Sequence, residues 1–500
     1  MRVGIDLGTT NTVVSYIDEN GIWNRLSFSN GSSEDRYFLP SRVAVKDGMV
    51  IVGRPAAEML FTSPADVVCD AKANMPEPDK EYYIGGLTMT AEEISAHILK
   101  EVYSELERQF PEERTFNAFV TVPTGFMTEA RLATKQALRD AGFETDENCL
   151  TDEPIAAAVA YGTRLDGDKL VLVVDIGGGT FDLSLMKTSI VGASTGAGRL
   201  EPVGHGRDMH LGGNDVDDIL VKAMSDSFVR AGGIPLDHPQ GTQFRDMQIA
   251  SAGQRLRSLT IDIKKQLYSA PDRSAYAYIR DLYGKADLDF TISPDEYMSL
   301  MADINKRYER CLGNIFVGTG YSPKDVDHVI VVGGMAHEIC LRRILMRMFG
   351  ENRLIVPEDA MYLVSKGAAI CNSDLKLAVE NRAYTSIGLL KDNGRAVENI
   401  IKEGCTVKTG EIFTAELSPA EPDATAVRIQ IVEYTGEFSP ERYTVILSGD
   451  IPIAERGFTL FKRPVRLMLE AAFSEDKILD LTVKQKGRTD RLDVRLGGNK

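Results

Sequence analysis

Two short segments carry the residues best suited to chemistry. Ile5-Asp-Leu-Gly-Thr-Thr-Asn-Thr12 and Val174-Asp-Ile-Gly-Gly-Gly-Thr-Phe-Asp182 each lead an apolar run into an aspartate, turn through glycine and threonine, and re-enter an apolar run. Glycine turns let successive backbone N–H groups approach a polyphosphate, and threonine hydroxyls add donors. Gly8, Thr9, Thr10 and Asn11 form one such turn, and Gly177, Gly178, Gly179 and Thr180 the other. Asp6 and Asp175 would repel phosphate, but carboxylates so placed suit a hydrated Mg²⁺, which keeps several of its waters. One such hairpin is an ordinary tight turn. Two of them, each flanked by strands, predict similar lobes that clamp a polyphosphate and its metal from both sides. There is no GxxxxGK[ST] loop, which excludes the P-loop class.

The hairpins need a scaffold, and its pattern is alternating. Strands are expected over residues 3–7, 12–17, 118–122, 170–175, 181–186 and 328–332. Helices are expected over 91–110, 128–141, 154–163, 215–231, 247–267, 294–312, 339–349 and 359–371. Ile94, Ile98, Leu99, Val102 and Leu106 recur at helical spacing behind a Thr90…Glu93 capping box. After about residue 372 the period changes to two. Val427, Ile429 and Ile431 alternate with other residues, as do Tyr443, Val445 and Leu447. So do Val465, Leu467, Leu469 and Ala471, then Leu479, Leu481 and Val483, and finally Leu492 and Val494. These read as antiparallel strands of a β-sandwich, with the boundary in a polar, helix-compatible stretch at 373–384.

The bulk numbers bound the rest. A chain of 500 residues with 43% hydrophobic and 26% charged residues is a folded, multidomain protein. A net charge of −16 disfavours a nucleic-acid partner. Cys69, Cys149, Cys311, Cys340, Cys371 and Cys405 are scattered without metal-ligand spacing, so free thiols in a reducing, cytoplasmic compartment are expected. No membrane segment and no signal peptide is expected either.

Several further motifs stand in order. They are Val120-Thr-Val-Pro123, Arg131-Leu-Ala-Thr134, Asp152-Glu-Pro-Ile-Ala-Ala-Ala158, His210-Leu-Gly-Gly-Asn-Asp215 and Val331-Val-Gly-Gly334. With the two hairpins they resemble the seventy-kilodalton heat-shock (DnaK-type) chaperone family, within the actin/hexokinase superfamily, over nearly the whole chain. The resemblance implies an α/β actin-like two-lobed ATPase domain (1–372), a linker (373–384) and an antiparallel β-sandwich domain (385–500). It also implies ATP/ADP and Mg²⁺ as cofactors. By position, Lys72 matches the catalytic lysine, Glu153 the carboxylate near the attacking water, Thr180 a hydroxyl lining the γ-phosphate, and Asp182 a second carboxylate there. Gly212, Gly213, Lys264, Lys265, Tyr268, Gly333, Gly334 and His337 would border the nucleotide, and Pro123 and Arg131 would relay its state to the other domain.

In the segments expected to border the adenosine, the sequence departs from that family at four positions. Ile261 replaces a ribose-binding Glu, Lys265 an adenine-stacking Arg, Tyr268 a serine and His337 an arginine. Tyr268 either stacks on the base or belongs to the core. The linker, Lys376-Leu-Ala-Val-Glu-Asn-Arg-Ala-Tyr384, carries three charges where the family has leucines, so altered coupling is expected. A few extra residues precede Gly367-Ala-Ala369, and a helical lid after the sandwich is not expected, which predicts fast peptide release. The leading expectation is an ATP-dependent chaperone for extended peptides, with J-domain and nucleotide-exchange partners implied by the resemblance. The alternatives are an ATP-binding adaptor with little hydrolysis, and an actin-like filament or sugar kinase.

Overall fold

The computed structural model of the chain describes every residue except 30–34, 146–147, 163–166, 192–196, 238–246, 373–376, 380, 392–393, 409, 418–424, 454–466, 486–487 and 493–500. The N-terminal three-quarters is built on two six-stranded sheets of matching design. In the first, Leu150–Asp152, Asn117–Val122 and Arg2–Leu7 run parallel, and Asn11–Ile17 and Trp23–Arg25 follow antiparallel. In the second, Leu354–Ile355, His328–Val332 and Gly167–Ile176 run parallel, and Phe181–Val191 and Ala197–Asp208 follow antiparallel. Each aspartate-led hairpin therefore joins the third and fourth strands of its own sheet. The duplication read from eight residues extends through five strands.

The strands form where β-branched residues can be covered on both faces. Val171, Leu172, Val173 and Val174 are all fully buried, as expected of a strand inside a sheet packed on both sides. Helices Glu153–Gly162 and Leu363–Cys371 cross between the sheets in a shared core with Val171, Val173, Ile330 and Val332. Gly367 makes that crossing possible: a Cβ there would lie 1.8 Å from the Ala156 carbonyl oxygen. A Gly367→Ala change has no flexible side chain to push aside and would force the helices apart.

Two expected helices come out differently, and the linker stretch takes a definite form. The helix expected at 294–312 is two, Pro294–Leu300 and Ala302–Asn314, because Met301 leaves helical geometry (φ −83°, ψ 11°). The helix expected from residue 359 begins at Leu363; residues 357–362 form turns, with Tyr362 N donating to the Asp359 carbonyl and Ala360 O accepting from Gly333 N. The 373–384 stretch is not helical where described. Leu377–Val379 pairs parallel with Gly198–Leu200, extending the second sheet by its sixth strand, and Asn381–Arg382 pairs with Thr406–Val407. Backbone hydrogen bonds need no leucines, so the interrupting charges do not prevent that pairing.

Beyond residue 384 lie two four-stranded antiparallel sheets. One is ordered Ala396–Ile401, Ser386–Lys391, Ala426–Tyr434, Thr444–Pro452. The other is ordered Phe413–Leu417, Leu467–Phe473, Leu479–Gln485, Arg488–Leu492. Alternate residues of both, among them Ile429, Ile431, Leu469, Ala471, Leu481 and Val483, close one core. The expected inward residues Val465 and Val494 lie outside the described residues.

Candidate nucleotide site and the interface beside it

The two hairpins meet tip to tip. Asp6 ends one strand opposite Val13, and Asp175 ends the other opposite Asp182. Gly178 presses on the Thr10 side chain so closely that a Cβ would lie 2.0 Å from its Oγ1. Together they line one cleft with Asp6, Gly8, Thr9, Thr10 and Asn11 on one wall and Asp175, Gly177, Gly178 and Thr180 on the other. Lys72, Glu153, Gly333 and Gly334 complete it. Asp182 lies buried beside Asp175. Gly212 and Gly213 support the second turn from behind, with Gly213 N donating to Gly177 O at 3.0 Å and a Cβ at Gly212 lying 2.7 Å from Gly179 N. Phe38, Val13, Met361 and Val364 also line the cleft and were not anticipated; nothing in their local sequence marks them.

The electrostatics of this cleft are lopsided. Lys72 is bonded to Glu153, both nearly buried, and is the one ammonium lining the cleft among the described residues. Burial would lower the Lys72 pKa, but Glu153 and Asp6 override it and raise it. Asp6, Asp175 and Asp182 crowd the same pair. Burial, opposed by Lys72 and reinforced by Glu153, pushes Asp6 up to about 6. Burial, then Glu153, pushes Asp182 up to about 7, and burial, Glu153 and Asp6 raise Asp175 well above the carboxylate range. Asp182 Oδ1 is a buried acceptor without a hydrogen-bond donor. Four carboxylates around one lysine want further positive charge. Among the described residues no three His, Cys, Asp or Glu side chains converge closely enough to hold an ion directly. Carboxylates beside glycine turns suit a hydrated cation such as Mg²⁺, which keeps several of its waters.

The expected adenosine wall is only partly assembled. Tyr268 and His337 stack on each other, ring centroids 4.2 Å apart and tilted by 35°, so Tyr268 is not a core residue. Lys264 is committed to Asp217 at 2.7 Å, Lys265 is exposed, and Ile261 is 52% exposed. None of Lys264, Lys265, Tyr268 and His337 lines the cleft with the phosphate-loop residues.

The β-domain sits against the first lobe through buried charge. Asp476, fully buried, accepts the backbone N–H groups of Cys149 and Leu150 at 2.8 Å each and pairs with Lys135. Asp152 takes Arg131 on one oxygen and Lys477 on the other, each at 2.5 Å. Burial would raise the Asp152 carboxyl, but Lys477 and Arg131 hold it down at about 2. Lys477 also lies 4.3 Å from the Tyr384 ring centroid. Glu433 accepts Thr128 N at 3.3 Å, at the start of the helix Thr128–Asp140, and Thr385 Oγ1 at 2.7 Å. Arg131, expected from resemblance to relay between domains, thus lies in their interface, and Pro123 carries the turn beside it by accepting Phe126 N at 2.9 Å. Lys135, Asp476 and Lys477 were not anticipated, since their partners are hundreds of residues away.

A family model described as Hsp70 protein matches residues 79–381. The chain is also similar to proteins named chaperone protein DnaK from Thermotoga petrophila, Thermotoga maritima and Thermotoga neapolitana. Each is 30% identical over 477 residues, spanning 91% of this chain and 74% of the relative. With two facing aspartate-led turns, a buried Lys–Glu pair between them and an abutting β-domain, the chain belongs to the DnaK-type Hsp70 family of ATP-dependent chaperones, which bind nucleotide and are ATPases.

Proposed function

We propose that this chaperone binds Mg²⁺-ATP in the cleft between the hairpins, hydrolyses it there, and uses the nucleotide state to govern how its β-domain holds extended apolar peptides. The reading assigns residues 1–372 to an actin-like two-lobed ATPase domain, 373–384 to a linker and 385–500 to a β-sandwich that binds peptide by strand pairing and side-chain pockets. The observation that carries it is the charge imbalance: three carboxylates and one lysine line a cleft walled by glycine turns, and beside Asp175 lies buried Asp182 with one oxygen undonated. When bound, Mg²⁺ would offset the charge of the phosphate oxygens, held through water by Asp6 and Asp175. Backbone N–H groups at Gly8–Asn11 and Gly177–Thr180 hold the phosphates in line. Lys72 places positive charge where the transferring phosphoryl group gains negative charge. Glu153, fixed by Lys72, orients the attacking water, with Thr180 and Asp182 closing the same pocket. Gly333 and Gly334 allow close approach of the nucleoside, and the Tyr268–His337 pair offers its base a stacking surface.

Partners follow from the same reading: unfolded or extended peptides, with a J-domain co-chaperone and a nucleotide-exchange factor as family-type regulators and a cytoplasmic setting. No described helix is long and apolar enough to cross a membrane. The test is a fluorescent extended apolar peptide incubated with the intact chain. Mg²⁺-ATP should speed its release relative to ADP, and identical release rates with both nucleotides would refute the proposed coupling.

A further inference from the structure

Arg207 occupies a junction that the mechanism above does not use. It ends the strand Ala197–Asp208 directly opposite Asp182, so the two side chains rise from the same face of the second sheet. Its guanidinium leaves that sheet and lies against the backbone of Gly125, where a Cβ would sit 2.0 Å from Nη1. Gly125 belongs to the turn after the strand Asn117–Val122 of the first sheet, so Arg207 reaches from one lobe to the other. The β-domain approaches from a third side with Glu403, which His205, two residues before Arg207, meets at 3.5 Å. Arg207 faces Asp182 across the strand pair and flanks the His205 that meets Glu403, and its charge acts to lower both carboxyls. Among the described residues its side chain makes no hydrogen bond and no ion pair. A partly buried cation between two carboxylates, fixed to neither, is a poor structural anchor and a good divisible charge.

We propose that Arg207 is a positioning residue for phosphoryl transfer, a guanidinium shared between Asp182 beside the nucleotide and Glu403 of the docked β-domain, so that undocking returns its positive charge to the hydrolytic site. The inference rests on the nucleotide reading above. With the β-domain in place, Glu403 offsets part of the guanidinium charge. When the β-domain leaves, that offset is lost, and the guanidinium, opposite Asp182 in the second sheet, presents its full charge toward the reacting groups. In this partly buried setting the field is weakly screened by salt and reaches the developing negative charge of the transferring group. Docking therefore slows hydrolysis through Arg207, and release of the β-domain speeds it.

The experiment uses the intact chain loaded with Mg²⁺-ATP, single-turnover hydrolysis as one readout and fluorescent-ADP affinity as the other. R207Q is expected to slow hydrolysis by about five- to tenfold, less than loss of a direct donor would, with affinity within about twofold of wild type. R207K, which keeps charge and loses the planar fork, should recover to within about twofold of wild type. E403Q should raise the rate by about twofold in the wild-type background and leave it unchanged in R207Q. A wild-type rate in R207Q, an R207K variant as slow as R207Q, or the same E403Q effect in both backgrounds would each overturn the inference. Wild-type chain that binds no nucleotide would instead overturn the underlying site assignment. If R207Q does not fold, R207K and E403Q still decide, because an unaltered E403Q rate alone excludes a shared charge.

Discussion

Replacing Asp476 by alanine should undock the β-domain without unfolding either half. The Asp476 carboxylate is fully buried and holds three nitrogen donors, the Lys135 ammonium and the backbone N–H groups of Cys149 and Leu150, besides a weak contact from the Cys149 thiol at 3.8 Å. In the docked variant all three stay away from water with nothing to accept them. In the undocked variant all three are hydrated. Removing one partner of a buried ion pair costs about 3–5 kcal/mol, and the lower figure is apt here because the donors have an escape into solvent. At 1.4 kcal/mol per factor of ten, about 3 kcal/mol lowers the docked-to-undocked ratio by about two orders of magnitude. The assay is hydrogen exchange with peptide-level mass spectrometry. The Cys149 and Leu150 amides should lose protection by a comparable factor, and Thr128, whose amide donates to Glu433, should lose it with them. The core strands Gly167–Ile176 and Leu467–Phe473 should keep theirs. Unchanged protection at Cys149 and Leu150 in D476A would refute the reasoning, since those amides would then owe their shielding to something other than the docked carboxylate.

Two other outcomes follow from the same charges. Lys72→Ala removes the cation nearest the reacting phosphoryl and should cut single-turnover hydrolysis by about 10²–10³-fold, with a smaller change in nucleotide affinity; a rate within about threefold of wild type would contradict its role. Asp152, depressed to about 2 by Lys477 and Arg131 against the effect of burial, contributes stability that is fully present above its unfolded value of 3.8 and is lost as pH falls through 2. A carboxyl held at about 2 instead of 3.8 is stabilised by about 2 kcal/mol. The Tm deficit of D152N relative to wild type should therefore be widest near pH 6 and narrow below about pH 4. A constant deficit across that range would mean that the Asp152 charge is not what matters.

What could be read in the sequence was what repeats locally. The paired turns needed only eight or nine consecutive residues each, and glycine, threonine and aspartate have few other reasons to recur in that order between apolar strands. Helix Ala91–Gln109 was legible because its capping box and its 3.6-residue spacing lie within its own length, and Thr90 and Glu93 do exchange both bonds. The break at Met301 had no such mark, because methionine is a good helix former and the geometry there belongs to the surrounding packing. The pairing of the linker had no such mark either. Side-chain chemistry there speaks to coupling, whereas the strand Leu377–Val379 is held by backbone groups, which the sequence does not vary.

The interface charges lie at the far end of that scale. Asp152 and Glu153 are neighbours in one motif, and local reading could assign a task only to the second. Glu153 opens a helix and faces Lys72 in the cleft, while Asp152 closes the preceding strand and faces Lys477, 325 residues further along the chain. No periodicity or spacing joins residues so distant, so only the fold reveals that consecutive carboxylates serve opposite sides of the same lobe. The arrangement has a mechanical consequence. One peptide bond separates the carboxylate that touches the nucleotide cleft from the one that touches the β-domain, and peptide bonds neither stretch nor readily twist. A backbone shift at the start of helix Glu153–Gly162 is passed to Asp152 through a single planar peptide unit, and so bears on its pairing with Arg131 and Lys477.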